Sequence, residues 1–495
     1  MEPRPRLRHP CRRILPATPR VLDTFEHFSR LPYPILFESA ASHADVARYS
    51  MMSASPRTIV RSRGTSVEIQ QVQEGTTVLI KGRALDVIAD LLKARSREGK
   101  TSAVPERSDD VNDDAPPFQG GAAGYIGYEY GGVLERLPKP TDDLGIPDVV
   151  MGLYDWAIGW DHQTGRCWLF ADAPETLDAL AADLAELPAK TPNVTALNVP
   201  PSLDTTFTST MTRAEYERAV DRVRDYIRAG DIFQANLSQR FSAPLHATPW
   251  QLYNTLRETT PAPFAAFFET PDFAIASASP ERFLKVHPSG LAETHPIKGT
   301  RPRAADPVID QAHRDALLAS EKDAAEHVMI VDVLRNDLAR VSEYGSVRVP
   351  SLMRHEQYAS VHHLVSTVVS QLRPDASAID LLHAAFPGGS ITGAPKIRAM
   401  EIIAELELVT RGVYCGAIGY ISPSGAMDTN IAIRTCLVRD GQVYFSAGGG
   451  IVADSAPAAE YEETLVKANA LMHAIRTANA MSPHPARSTR STRSI

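Results

Sequence analysis

A chain of 495 residues with 43% hydrophobic side chains can bury a large core, and its length fits two or three structural units. The formal net charge of -8 shows none of the basic excess that nucleic-acid binding uses, and no apolar run is long enough to cross a bilayer. The four cysteines, Cys11, Cys167, Cys415 and Cys436, are scattered without a CxxC pair, which signals neither a zinc site nor a disulfide framework and suits a reducing, cytoplasmic setting.

The first twenty residues are basic and carry Pro3, Pro5 and Pro10 without an amphipathic pattern, so residues 1–20 are expected to be a disordered extension. Residues 21–187 read as short strands and turns with few helices. An apolar run, Ile35-Leu36-Phe37, ends on Glu38 and Ser39. Leu85, Ile88, Leu91 and Leu92 recur at helical spacing and predict a helix over 84–97. Gly120, Gly121, Gly124 and Gly127 then interleave with Tyr125 and Tyr128. The order is not GxGxxG, so no dinucleotide fingerprint exists, and a closely packed strand explains the glycines. Pro174 suits the first turn of a helix over 174–187. Residues 188–207 are polar and proline-bearing and are expected to link to a second region, 208–478. Residues 479–495 are expected to form a tail.

The second region opens with a capping box, Thr212 to Glu215, and a helix whose stripe is Tyr216, Val220, Val223 and Ile227, ended by Gly230. A strand over 232–241 would place Phe233, Ala235 and Leu237 on one face and Gln234, Asn236 and Ser238 on the other. A helix over 250–259 and strands over 264–269 and 273–277 follow, leading to Glu281 behind Pro280. In His295-Pro296-Ile297-Lys298-Gly299-Thr300-Arg301-Pro302-Arg303 an amine lies between a β-branched residue and a glycine, beside donors suited to carboxylates. That could seat an amine nucleophile, or be a strand end with a basic loop. Residues 312–341 read as one long helix, with Glu326 beside an apolar stripe of Ala325, Met329, Val333 and Leu334. Its carboxylate needs a positive partner: Arg335 or Arg340 in the ordinary case, a metal ion in the sharper one. His362 and His363 are adjacent in a strand, point to opposite faces, and cannot chelate one ion together. A Gly-rich turn over 386–396 feeds a helix to 406, and such a helix start favours anions; the GK[ST] order of a nucleotide loop is missing. Strands are expected over 415–422, 427–438 and 442–447. Gly448, Gly449 and Gly450 follow, then a helix from 456 that puts Glu460, Glu463 and Lys467 on one face.

Nine ordered stretches, IFQANLSQRF, SASPERF, PIKGTRPR, AEHVMIVDVLRNDL, VHHLVS, GGSITGAPKIRAMEII, YCGAIGY, MDTNIAIRT and AGGGIVADSAPAAEYEETLVKA, together resemble the chorismate-utilising enzymes. The resemblance is dense over 212–474 and weaker before. It implies an α+β fold in which large antiparallel sheets pack as a sandwich with helices outside. It implies Mg²⁺ on Glu326 and Glu463, with Glu460 close by through water. Glu281 would be the general acid and Lys298 a covalent nucleophile, while His363 rather than His362 would face the substrate. Gly299, Thr300, Thr392, Tyr414, Arg434, Lys467 and the amides around Gly448 and Gly450 would hold chorismate. Anthranilate-forming members usually read PIAGT where this chain has Lys298. Isochorismate- and salicylate-forming members keep a water-activating lysine in the strand aligned with 232–241, at the position of Ala235. The implied reaction is therefore amination of chorismate at ring C4 to 4-amino-4-deoxychorismate, toward 4-aminobenzoate and folate, with anthranilate formation as the alternative. No GxCxG-type glutaminase loop is present, so ammonia is expected from a separate glutamine amidotransferase subunit. The resemblance also implies a tryptophan site, matched by Ser39, Val46, Ala47, Arg48, Tyr49, Pro263, Phe264 and Ala265.

Overall fold

Alternating apolar residues draw the chain into two antiparallel sheets of twelve strands each in the computed structural model, which describes residues 11–40, 48–98, 115–187, 201, 205–358 and 361–482. One sheet runs from Cys11–Ile14 through Arg166–Ala171, Trp156–Asp161, Tyr49–Ser53, Ile35–Glu38, Phe264–Glu269, Ala274–Ser279, Thr435–Arg439 and Gln442–Ile451 to Gln234–Pro244 and Thr208–Ser209. The other runs from Ile297–Pro302 through Val361–Gln371, Leu291–Thr294, Arg282–Val286, Met427–Ile431 and Ala417–Ile421 to Gly121–Ile126, Val149–Tyr154 and the meander Thr58–Arg63, Ser66–Gln71, Thr76–Lys81.

A core that includes Tyr33, Ile35, Phe118, Tyr125, Tyr154, Phe268, Ile275, Ile418 and Tyr420 fills the space between the sheets. Helices cover the outer faces. Pro249–Thr259 and Pro457–Met481 bury Leu252, Leu256, Leu471 and Ile475 against the first sheet, and Arg213–Ala229 with Lys396–Leu406 cover its Gln234–Pro244 edge. Ala84–Glu98, Glu321–Ala339 and Ala378–Ala385 lie on the second sheet. The expected sandwich with outer helices is the observed fold.

Strands from before and after the linker share both sheets and meet at one pairing in each: Ile35–Glu38 with Phe264–Glu269, and Gly121–Ile126 with Ala417–Ile421. The boundary expected at 188–207 thus divides stretches of sequence, not sheets. Most of that linker lies outside the described residues, but Phe207 packs edge-on against Phe445 at 6.0 Å. The glycine-rich strand is buried at all six positions, and a Cβ on Gly124 would overlap the Val150 carbonyl, so close packing accounts for that glycine.

Four expectations are corrected. The extension is not unstructured through residue 20: Cys11–Ile14 pairs with Arg166–Ala171, and Arg13 meets Asp178 at 2.6 Å. The tail does not begin at 479, because the last helix runs to Met481 and the Asn479 amide donates to Pro244 O at 3.1 Å. The single helix over 312–341 is two, Pro307–Leu318 and Glu321–Ala339, because Ser320 caps a fresh start by accepting the Asp323 N–H at 3.2 Å. The strand over 427–438 breaks at Arg434, whose φ of +50° turns the chain from one sheet to the other.

Candidate active site

Lys298 sits on Ile297–Pro302, which pairs with Val361–Gln371 at the end of the second sheet. The register breaks between Ile297 and Thr300, so Lys298 and Gly299 form a bulge, and Gly299 takes the φ of +84° that the bulge needs. Bulging turns the amine away from the regular alternation and toward the first sheet. A Cβ built on Gly450 would lie 3.4 Å from Lys298 Nζ and would overlap Gln234 Nε2, so these two side chains meet over a bare stretch of backbone. Burial pushes the Lys298 amine below its ordinary pKa; Glu326 opposes that fall and Lys467 adds to it.

Glu281 is buried at the turn before Arg282–Val286, and burial lifts its carboxyl to about 7, against a hydrogen bond from Ser390, the charge of Lys298 and the Ile297 amide. A carboxyl and an amine that feel each other's charge are thus both moved by burial toward their uncharged forms.

Three carboxylates close another side. Glu326 lies on Glu321–Ala339, and Glu460 and Glu463 lie on the first turns of Pro457–Met481. A Cβ on Gly449 would stand 3.2 Å from Glu463 Oε1 and 3.3 Å from Glu460 Oε2, so both acids lean on that glycine. Burial raises Glu326, and Glu460 repels its charge; burial raises Glu460, and Glu463 repels it in turn. The ordinary partners of Glu326 are otherwise engaged: Arg335 meets Asp332 at 2.9 Å and Arg340 donates to Ala384 O at 2.8 Å. Lys467 bonds Glu463 at 2.7 Å and Gly448 O at 2.9 Å, and Glu463 is held below its usual value despite its burial, chiefly by that lysine. Hard oxygen donors that repel one another fit a divalent cation of the Mg²⁺ kind. Among the described residues no three His, Cys, Asp or Glu side chains are gathered about one point.

His363 and His362 divide as the alternation requires. His363 Nδ1 lies 2.9 Å from Thr300 Oγ1, and its pKa falls to about 3 through burial and then the nearby Arg434, so the ring is neutral. His362 turns the other way, 2.9 Å from His355 and 3.0 Å from Asp310. Arg434 has no carboxylate partner among the described residues, and burial lowers its pKa, as for a cation awaiting an anion. Tyr414 is buried beneath Arg411, which is itself pinned by Glu407 at 2.7 Å. Thr392 is buried but spends its hydroxyl on Gly388 O at 2.9 Å, which makes it part of the turn's framework.

Gly448, Gly449 and Gly450 do not follow the last strand as a loop. They extend it, and pair with Ser238, Leu237 and Asn236. Ala235 does not face the chamber: it belongs to the cluster under Arg213–Ala229 and Lys396–Leu406, and its neighbour Gln234 lies with Lys298 over Gly450. Gln234 Oε1 and Asn236 Nδ2 are buried without hydrogen-bond partners, on the polar face that the alternation had marked. For the tryptophan site, Val46 and Ala47 lie outside the described residues. Ser39 donates to Pro263 O at 3.4 Å, Arg282 lies 4.7 Å over Phe264, Ala265 pairs with Glu38, and Arg48 is bound to Asp161 at 2.8 Å and lies 4.9 Å over Tyr49.

Residues 56–473 match the family model for chorismate binding enzymes. The chain is 42% identical over 455 residues to aminodeoxychorismate synthase component 1 of Klebsiella aerogenes, covering 92% of this chain and 96% of that protein. It is 39% identical over 466 residues to anthranilate synthase component 1 of Pseudomonas putida, covering 91% of this chain and 92% of that one. The crystal structure of anthranilate synthase component I from Streptococcus pneumoniae TIGR4 superposes with a TM-score of 0.73 at 34% identity, covering 87% of this chain and 93% of that one.

Proposed function

The chain belongs to the chorismate-binding enzymes, and from that premise we propose that it aminates chorismate at ring C4, as the first component of an aminodeoxychorismate synthase acting in 4-aminobenzoate and folate synthesis. Relatives that make the 4-amino product and relatives that make anthranilate are almost equally similar, at 42% and 39% identity, so overall likeness does not choose between them. Lys298 carries the choice. Its amine is depressed by burial and stands in the charge field of the acid Glu281, where an anthranilate-forming chain would place a methyl group.

The chemistry follows from the two shifts. Glu281, protonated at rest, gives its proton to the C4 hydroxyl, and the C–O bond breaks with loss of water. The uncharged Lys298 amine donates its lone pair to the ring and forms a C–N bond. Ammonia then adds at C4 as the Lys298 C–N bond breaks, and its surplus proton returns to Glu281. Arg434 and Lys467 are the cations suited to the substrate's carboxylates. Neutral His363, fixed against Thr300, can offer a hydrogen bond without adding charge. Glu326, Glu460 and Glu463 would hold Mg²⁺, which when bound neutralises a substrate carboxylate and polarises the ring.

Ammonia would come from a separate glutamine amidotransferase subunit; the relatives' naming as component 1 supports a two-part enzyme. Tryptophan would bind near Ser39 and the strands that carry Tyr49 and Phe264; release of tryptophan from denatured protein tests this.

The deciding experiment incubates the protein with chorismate, Mg²⁺ and ammonium and identifies the product. The reading requires 4-amino-4-deoxychorismate; anthranilate with pyruvate would establish the alternative. Lys298→Ala should abolish a covalent chorismate adduct visible by intact-protein mass spectrometry, and an adduct that survives the substitution removes Lys298 from its role.

A further inference from the structure

A bulge takes residues out of the ladder's register, and Lys298 is one of the two it displaces here. The side chain that faces it is His327, fully buried on Glu321–Ala339 with Nδ1 at 3.4 Å from Lys298 O. A carbonyl oxygen can only accept, so Nδ1 carries the hydrogen and Nε2 presents its lone pair. Nε2 lies 2.6 Å from Ser366 Oγ, whose hydroxyl therefore donates to the ring. Ser366 Oγ in turn accepts the Met353 N–H at 2.8 Å. Met353 lies where the pairing of Arg348–Gln357 also shifts register, and has a φ of +51°. One Ser–His pair thus serves two neighbouring bulges, and each hydrogen in it has one possible direction.

We infer that His327 is a positioning residue: through its hydrogen bond to the Lys298 carbonyl it fixes the bulge that aims the amine at the ring. The inference rests on Lys298 being the nucleophile. His327 follows Glu326 directly, so one helical turn fixes both a proposed metal-binding carboxylate and the main chain of the attacking residue. The alternative is a core histidine that merely fills space.

The two differ in what a substitution does to turnover. His327→Leu keeps bulk and loses the donor; His327→Asn keeps an N–H near the Nδ1 position. With full-length protein, Mg²⁺ and ammonium, His327→Leu should lower kcat by about 10- to 100-fold and leave KM for chorismate within about threefold, as expected when a reacting group is displaced by a fraction of an ångström. His327→Asn should recover most of that loss. Equal losses in both variants, or wild-type kcat in His327→Leu, would overturn the inference. If His327→Leu does not fold, Ser366→Ala decides: freeing the ring to reorient should lower kcat several-fold at constant KM, and an unchanged kcat overturns the proposal. Lys298→Ala is run beside them. Full turnover there sinks the nucleophile itself, whereas loss of turnover there with active His327→Leu sinks only the positioning role.

Discussion

Glu281 and Lys298 are moved in opposite directions by the same burial, and both end nearer their uncharged forms. That has a consequence for stability. Glu281 rises from 4.5 to about 7 on folding. Between those values the folded chain keeps a proton that the unfolded chain has lost, so stability falls as pH rises through that window and levels off above it. The upper bound is about 3 kcal/mol for a fully buried group shifted this far. Glu281→Gln should lessen the pH dependence of the melting temperature across the window, leaving the share of Glu129, which burial also lifts to about 7, while lowering turnover by about 10²- to 10⁴-fold, the scale of a lost general acid. A variant that melts with the wild-type slope would show that Glu281 is not the group held protonated. For wild type, single-turnover adduct formation should decline on the alkaline side of about pH 7 as Glu281 loses its proton. At this scale Glu281 and Lys298 were marked only by the strings that resemble a family, and what the fold adds is that each feels the other's charge. His327 was not singled out: its value comes from the carbonyl of a residue that a bulge displaces, and no local pattern announces a bulge.

At the scale of elements, the strand Gln442–Ile451 does two jobs with three glycines. A Cβ on Gly448 would overlap the Leu237 carbonyl, which is backbone of the paired strand and cannot yield. A Cβ on Gly450 would overlap only the end of the Gln234 side chain, which can swing away, and would come within 3.4 Å of the Lys298 amine. Gly448→Ala should therefore cost stability, by about 1–3 kcal/mol as overpacking does, and Gly450→Ala should fold with near-wild-type melting yet lose turnover. Urea titration and steady-state kinetics on the two variants separate these effects. Melting of Gly450→Ala well below Gly448→Ala would reverse the assignment. On sequence alone the strand is expected to end at Ala447, before the glycine run, because glycine is a poor strand former. What overrides propensity is close approach, which only the paired strand reveals. The same limit explains Ala235 and Gln234. The alternation of that strand was correct, but which face met the chamber depended on helices packed on the other side.

At the scale of the molecule, the chamber is built by stretches far apart in sequence, and the two regions share both sheets. Phe264–Glu269 lies between Ile35–Glu38 and Ala274–Ser279, and Ala417–Ile421 lies between Gly121–Ile126 and Met427–Ile431. Glu129 binds the backbone N–H groups of Arg411 and Gly412 at 2.7 and 2.8 Å, steadying the turn that presents Tyr414. A chain cut to residues 208–482 would expose the faces of Phe268, Ile275, Ile418 and Tyr420 that the earlier strands cover, and would leave two long unpaired sheet edges. The fold class came with the resemblance of the nine stretches to one family; strand order was not read, because the strands that join the two regions lie hundreds of residues apart in sequence. The truncated chain should aggregate or lack cooperative unfolding, and co-expression of residues 11–187 with it should restore both solubility and chorismate turnover. A monomeric 208–482 fragment that melts cooperatively by calorimetry would show that the later strands close a core of their own, and that the two shared sheets are an accessory to folding instead of its condition.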